Sequence, residues 1–127
     1  MYKAEVTHIK NLSFCVKSGS REFIIDAKGI DGVSPPDALL ASVGSCLGVY
    51  IRKYAQGAKI ALENFSIAVE AEFTKETPMR FKIINVAVDL KNSGLDLPRK
   101  NALLEFIKNC PVHNTLKGNP QVEIKIL

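Results

Sequence analysis

The sequence predicts an α+β fold in which an antiparallel sheet wraps around a buried central helix. Segments that alternate between polar and apolar residues, the pattern of half-buried strands, lie both before and after one long apolar stretch. In that stretch no charged side chain occurs between Ala38 and Ile51. A helix with this composition is apolar on all sides and is expected to be buried. It is too short to cross a bilayer, which needs about 20 apolar residues.

Three strands are predicted ahead of the central helix, at residues 2–9, 12–17 and 21–26. The first alternates between apolar and polar residues, and Ser18-Gly19-Ser20 has the composition of a turn between the other two. Cys15 lies in the second strand, and we interpret it as a small buried hydrophobic residue.

The central helix is predicted from Ser34 to Ala55. Ser34 suits the N-cap, Pro35 suits the first helical position, and Asp37 stands where a capping box has its acid. The alternative is that Asp37 belongs to an active site with Cys46. On one straight helix the two residues face opposite ways, so this alternative requires a bend, a late helix start or a second subunit.

A hairpin of two long strands, at residues 63–74 and 80–90, is predicted after the central helix. Thr77-Pro78 marks its turn. The alternation slips near Ile84-Asn85, which indicates a β-bulge. Asn92-Ser93-Gly94 then interrupts the pattern.

The last third of the chain is predicted to form two helices and a strand. Helical spacing covers residues 98–109 and ends at Cys110-Pro111, because the residue before a proline avoids the α region. Pro111 then starts a short helix, at residues 113–117, and residues 121–127 alternate as a strand. The predicted order is β-β-β-α-β-β-α-α-β.

Composition favours one globular domain over residues 1–127, with 46% hydrophobic and 24% charged residues. The net charge of +4 comes without a basic run or a zinc-finger spacing, so neither nucleic acid nor a membrane is an expected partner. Three cysteines and an N-terminus unlike a secretion signal favour a reducing compartment, the cytoplasm.

Two cysteines occupy positions that favour thiol chemistry. Cys46 lies in the middle of the apolar helix, beside small residues that leave room for close packing. Burial disfavours a thiolate, so a reactive Cys46 needs a neighbouring cation. Arg21 is the candidate because arginine stays charged when buried; a solvated strand end is its alternative role, and its rivals as the cation are Arg52, Lys53 and Arg80.

Cys110 is predicted to be the N-cap of the short helix, where exposed N–H groups would stabilise a thiolate. Its alternative role is a structural cysteine at a helix break. The spacing of Cys110 and His113 also allows a zinc interpretation, but no second pair of ligands has metal spacing.

Two motifs resemble those of the OsmC/Ohr family, the osmotically inducible protein C and organic hydroperoxide resistance proteins. They are Ser-Pro-Pro-Asp-Ala-Leu-Leu-Ala-Ser-Val-Gly-Ser-Cys at 34–46 and Cys-Pro-Val-His-Asn-Thr-Leu-Lys-Gly at 110–118. The resemblance implies an intertwined homodimer and matches Cys46 to the peroxidatic cysteine and Cys110 to the resolving one. Asp37 falls near the motif glutamate of the family, and Arg21 matches its N-terminal arginine.

The activity that this resemblance implies is the thiol-dependent reduction of organic hydroperoxides, through a Cys46 sulfenic acid and a Cys46–Cys110 disulfide. The implied reductant is a small dithiol or a lipoyl-type group, and no metal or organic cofactor is expected. Two other classes stay open on the residues. One is a binding protein for an apolar ligand with an unreactive Cys46; the other is a thiol esterase or transferase that uses Cys46 and His113.

Overall fold

The structure, a computed structural model, describes residues 1–91 and 93–127. Asn92, in the predicted break after the hairpin, lies outside the described residues. The described elements are β1 (Glu5–Lys10), β2 (Ser13–Ser18), β3 (Arg21–Asp26), α1 (Pro35–Ala58), β4 (Ser66–Phe73), β5 (Phe81–Asp89), α2 (Leu97–Ile107) and α3 (Pro111–Gly118). All strand pairs are antiparallel, which confirms the predicted α+β class. Over the described ranges, no helix combines the length and hydrophobicity that a membrane span requires.

The chain divides into two compact units, Met1–Ala41 and Ser42–Leu127. The first contains a three-stranded sheet in the order β1-β2-β3, and the second contains the β4–β5 hairpin. One domain over residues 1–127 therefore stays a prediction, and each unit is described by itself.

In the first unit, the loop from β3 to α1 is held by Asp26. Its two carboxylate oxygens accept the backbone N–H groups of Asp31 and Lys28, each at 3.0 Å. These bonds keep the pKa of the Asp26 carboxyl below its usual range. Gly32 in this loop lies so close to β3 that an added Cβ would be 2.1 Å from the carbonyl oxygen of Ile24. Only a glycine fits there.

In the second unit, one face of α1 forms the hydrophobic core with α2 and the segments beside it. The buried members are Val43, Leu47, Ile51, Ala55, Leu62, Leu95, Leu103, Ile107 and Cys110. The members from α1 recur every four residues, which is the spacing of one helical face.

The β4–β5 hairpin packs on α1 at its small residues. A Cβ added at Gly44 would lie 3.1 Å from Cγ2 of Val69, and one at Gly48 would lie 3.5 Å from Cδ1 of Ile67. The room that the sequence leaves beside Cys46 is therefore occupied by β4. A register shift opposite residues 81–84 of β5 confirms the β-bulge predicted near Ile84.

The opposite face of α1 carries exposed residues. Val49 is 51% exposed, and Ser42 and Ser45 are exposed as well. In the second unit, the hairpin and α2 occupy one side of the helix. Burial of the helix on its other side stays a prediction, tied to the predicted homodimer.

The predicted last strand is wrong for a single chain. Residues 121–127 form no strand here, and Val122, Ile124 and Ile126 are 76%, 89% and 98% exposed. Alternation predicts which residues would face a sheet, but a strand forms only where a neighbouring strand supplies the hydrogen bonds.

We expect Gly44→Val to lower the free energy of unfolding by about 1–3 kcal/mol, because the added carbons overlap Val69 of β4. Gly57→Val is the matched control on the same helix, since nothing lies within 4 Å of its added Cβ. Its effect should stay within about 0.5 kcal/mol. Urea denaturation measures both, and equal losses would contradict this account of the packing of β4 on α1.

Candidate active site

The structure brings Cys46 and Cys110 together. Cys46 lies in the middle of α1, half-buried against the hydrophobic core. Cys110 lies between α2 and α3, with none of its surface exposed. The two thiols are close enough that Cys46 acts on the ionisation of Cys110. A half-buried cysteine thus neighbours an enclosed one.

The backbone fixes Cys110 from both sides. Its N–H donates to the carbonyl oxygen of Ile107 at 3.1 Å, and its own carbonyl oxygen accepts the N–H of Asn114 at 3.0 Å. As predicted, Cys110 is the N-cap of α3, and its Sγ accepts the N–H of His113 at 3.5 Å. Pro111 suits the first helical position because it has no N–H to leave unpaired.

The ionisation of Cys110 differs from the prediction. Burial raises the pKa of its thiol, and the neighbouring Cys46 raises it further. The N–H groups of His113 and Val112 act in the opposite direction without overcoming burial. The N–H groups thus favour the thiolate as predicted, but burial outweighs them, and Cys110 is a neutral thiol near pH 7.

The three rival cations each have a contact of their own. Nη1 of Arg52 donates to the carbonyl oxygen of Leu62 at 2.8 Å. Nζ of Lys53 lies 4.6 Å from the ring centroid of Tyr50. Arg80 donates to the carbonyl oxygen of Pro78 at 3.3 Å. These contacts do not decide which cation activates Cys46, and the role of Arg21 stays a prediction.

Arg21 and Asp37 both belong to the first unit. Arg21 is exposed at the start of β3, opposite Ser18. Asp37 lies in the first turn of α1, where Oγ of Ser34 accepts its N–H at 3.2 Å and donates to its Oδ2 at 2.7 Å. This is the predicted capping arrangement. An active-site role for either residue stays a prediction.

Comparisons with known proteins give the family. A family model described as OsmC-like protein matches residues 27–125. This chain belongs to the OsmC-like family. A search of curated proteins gives no match.

Solved structures of OsmC-like proteins share the fold. An OsmC-like protein from Mycoplasma pneumoniae is 20% identical with a TM-score of 0.81, over 93% of this chain and 88% of that one. The organic hydroperoxide resistance protein OhrB of Bacillus subtilis is 21% identical with a TM-score of 0.66, over 92% of each chain. An organic hydroperoxide resistance protein OsmC from Legionella pneumophila is 22% identical with a TM-score of 0.66, over 94% and 90%.

The other sequence candidates in this OsmC-like chain have separate surroundings. Cys15 is half-buried in β2, in register with Thr7 and Ile24 of the neighbouring strands. Nδ1 of the His113 ring lies 3.2 Å from Oδ1 of Asn114. Among the described side chains, no three His, Cys, Asp or Glu residues gather as metal ligands would.

The N–H groups that act on Cys110 are those of Val112 and His113. They are the exposed groups that the sequence predicted at this N-cap. Sequence reasoning missed the apolar enclosure of Cys110, by a core that includes Leu103 and Ile107. No local motif marks that enclosure.

We expect the raised pKa of Cys110 to make stability fall with alkaline pH. In the unfolded chain the thiol ionises at about pH 8.5, whereas in the folded protein it keeps its proton to higher pH. The contribution is thus complete below the unfolded pKa and is lost as the pH rises through the folded one.

Urea unfolding at pH 7, 8, 9 and 10 measures this slope. Cys110→Ala should flatten it, whatever its effect on stability at pH 7. Cys15→Ala is the control and should keep the wild-type slope. An unchanged slope in Cys110→Ala would show that the folded environment does not protect this proton.

Proposed function

We propose that this OsmC-like protein is a thiol-dependent peroxidase that reduces organic hydroperoxides to alcohols. The observation that carries the proposal is the proximity of the half-buried Cys46 thiol to the enclosed Cys110 thiol. One sulfur is placed to meet a substrate and the other to meet the product of the first step.

The first step is attack of the Cys46 thiolate on the distal oxygen of ROOH. The O–O bond breaks, RO⁻ leaves and takes a proton, and Cys46 becomes a sulfenic acid. The sulfenic acid then condenses with the thiol of Cys110, which forms the S–S bond and releases water. A small dithiol or a lipoyl-type group reduces this disulfide by exchange.

The surroundings of both sulfurs support this sequence. Cys46 is held in place by a long helix. Cys110 is held by hydrogen bonds of both its backbone N–H and its backbone carbonyl oxygen. Since the two thiols are neighbours in the same core cluster, condensation needs no large rearrangement. A Cys46 sulfenic acid is thereby protected from over-oxidation, which proceeds where no second thiol can reach it.

The preference for organic peroxides follows from the polarity around Cys46. It packs against the apolar core, and Tyr50 lies one turn further along the same helix. Tyr50 in turn is close to Phe106, with 6.1 Å between ring centroids. Aromatic and aliphatic neighbours favour an apolar R group over the water-like H₂O₂.

We assign Arg21 to the activation of Cys46 and Asp37 to the orientation of that arginine. The carboxylate would repel a thiolate by itself, so it helps only when it is paired with a cation. We place the reaction in the cytoplasm, since both cysteines must be returned to thiols in each cycle.

We also propose that the protein works as a homodimer. The exposed face of α1 around Val49 and residues 121–127 both expose apolar side chains. An uncharged helix face is costly to leave in water, and a segment with a strand pattern gains backbone hydrogen bonds when it pairs with another strand. A second copy can supply a cover for the first and a partner for the second.

We expect Cys110→Ser to consume about one equivalent of cumene hydroperoxide and then stop, because Cys46 is oxidised without a thiol to resolve it. Wild type should turn over many times with a dithiol reductant. Cys46→Ser should be inactive, and Cys15→Ser, the matched control, should match wild type. Peroxide consumption and peptide masses without reduction measure these outcomes. Sustained turnover in Cys110→Ser would contradict the two-cysteine mechanism.

We expect the mass in solution to be that of a dimer at micromolar concentration, measured by light scattering. Val49→Lys should shift the protein towards monomer, because it buries a charge in the proposed interface. Asn101→Lys is the control, as it changes a polar exposed residue on α2, away from the exposed face of α1. A wild-type monomer would reject the dimer, and dimeric Val49→Lys would locate the interface elsewhere.

A further inference from the structure

We infer that the reductant attacks the sulfur of Cys46, and that Cys110 is the leaving group when the disulfide is reduced. This inference rests on the proposed function for the disulfide, but it concerns a later step. Each sulfur of a disulfide can be the one attacked, and the choice decides which residue carries the mixed disulfide with the reductant.

Access is the first argument. Cys110 has none of its surface exposed in a single chain. Association with a second copy can only bury more surface, so no oligomer opens a path to this sulfur. Cys46, by contrast, is only half-buried in the same chain. An incoming thiolate therefore reaches Cys46 first.

The start of α3 is the second argument. A leaving sulfur takes up the electron pair of the broken bond, and hydrogen-bond donors stabilise that charge. The N–H of His113 already donates to Sγ of Cys110 at 3.5 Å, and the N–H of Val112 lies in the same turn. Cys110 is thus the sulfur that meets preformed donors as it leaves.

The exchange balances as follows. A reductant thiolate, RS⁻, bonds to Sγ of Cys46, the S–S bond breaks, and Cys110 departs as a thiolate that takes a proton from solvent. The second thiolate of the dithiol then attacks the other sulfur of the same dithiol, which is bonded to Cys46 in the mixed disulfide. This releases Cys46 as a thiolate and the reductant as a cyclic disulfide, with two electrons transferred in all.

Trapping of the mixed disulfide tests the inference without any peroxide. The wild-type protein is oxidised with diamide, exposed briefly to excess 2-mercaptoethanol, quenched with acid and alkylated with N-ethylmaleimide. Trypsin places the three cysteines in separate peptides, residues 11–17, 29–52 and 109–117. We expect the mercaptoethanol adduct on Cys46 and the maleimide on Cys110, with Cys15 alkylated throughout as an internal control.

An adduct on Cys110, or on both residues equally, would overturn the inference. If diamide links no Cys46 to Cys110, the disulfide of the proposed function falls, and this inference falls with it. If the adduct maps to Cys46 in a protein that does not consume cumene hydroperoxide, the inference stands and the peroxidase proposal fails.

A second measurement tests the donors of α3. His113→Pro removes the N–H that donates to Cys110, and proline is tolerated in a first helical turn. His113→Ala, which loses the imidazole and keeps the N–H, is the reference. We expect the disulfide of the proline variant to be reduced about tenfold more slowly, given the strength of a hydrogen bond to a charged acceptor.

The rate at which one equivalent of cumene hydroperoxide oxidises Cys46 should be the same in both variants. This comparison separates a leaving-group effect from a structural defect, which would alter both rates and the melting temperature. Equal rates of disulfide reduction would show that the N–H of His113 does not assist the departure of Cys110.

Discussion

Exposing the residues from Ala38 to Ile51 to water would cost free energy in proportion to their apolar area, and α1 has no charge there to offset it. In the second unit, the β4–β5 hairpin and α2 shield one side of this helix from water and enclose Leu47 and Ile51. The small residues Gly44 and Gly48 let β4 approach closely enough to exclude water. The opposite side of the helix, around Val49, stays exposed to water.

The thiol pair depends on this burial as much as the core does. Cys46 is on the helix that must be covered, and Cys110 is among the residues that cover it. Their proximity therefore follows from packing as well as from chemistry. The backbone at the start of α3 also orients a donor towards this pair, since it fixes the N–H of His113 on one side of the Cys110 sulfur.

Local sequence patterns predicted most elements of the fold. The start of α1 at Pro35 was predictable because the bonds between Ser34 and Asp37 join residues three apart. The N-cap position of Cys110 was predictable for the same reason, from Pro111. The pairing of Cys46 with Cys110 was predictable only through a family resemblance, because residues far apart in the chain leave no local pattern.

The errors share one physical cause. The ionisation of Cys110 depends on residues such as Leu103, which no motif links to it, and burial outweighed the helix N-terminus. The strand predicted over residues 121–127 does not form, since none of the described strands pairs with it. Alternation and composition indicate which side chains of a segment require burial. Which other segment buries them depends on the tertiary or quaternary structure.

The place of Cys110 in the hydrophobic core has a consequence for how such a protein can evolve. Leu103 and Ile107 pack in the same cluster as its sulfur. A substitution that changes their volume therefore alters both the packing of the core and the surroundings of the Cys110 thiol. A selection for heat resistance that acted on these two side chains would also change the pKa of that thiol.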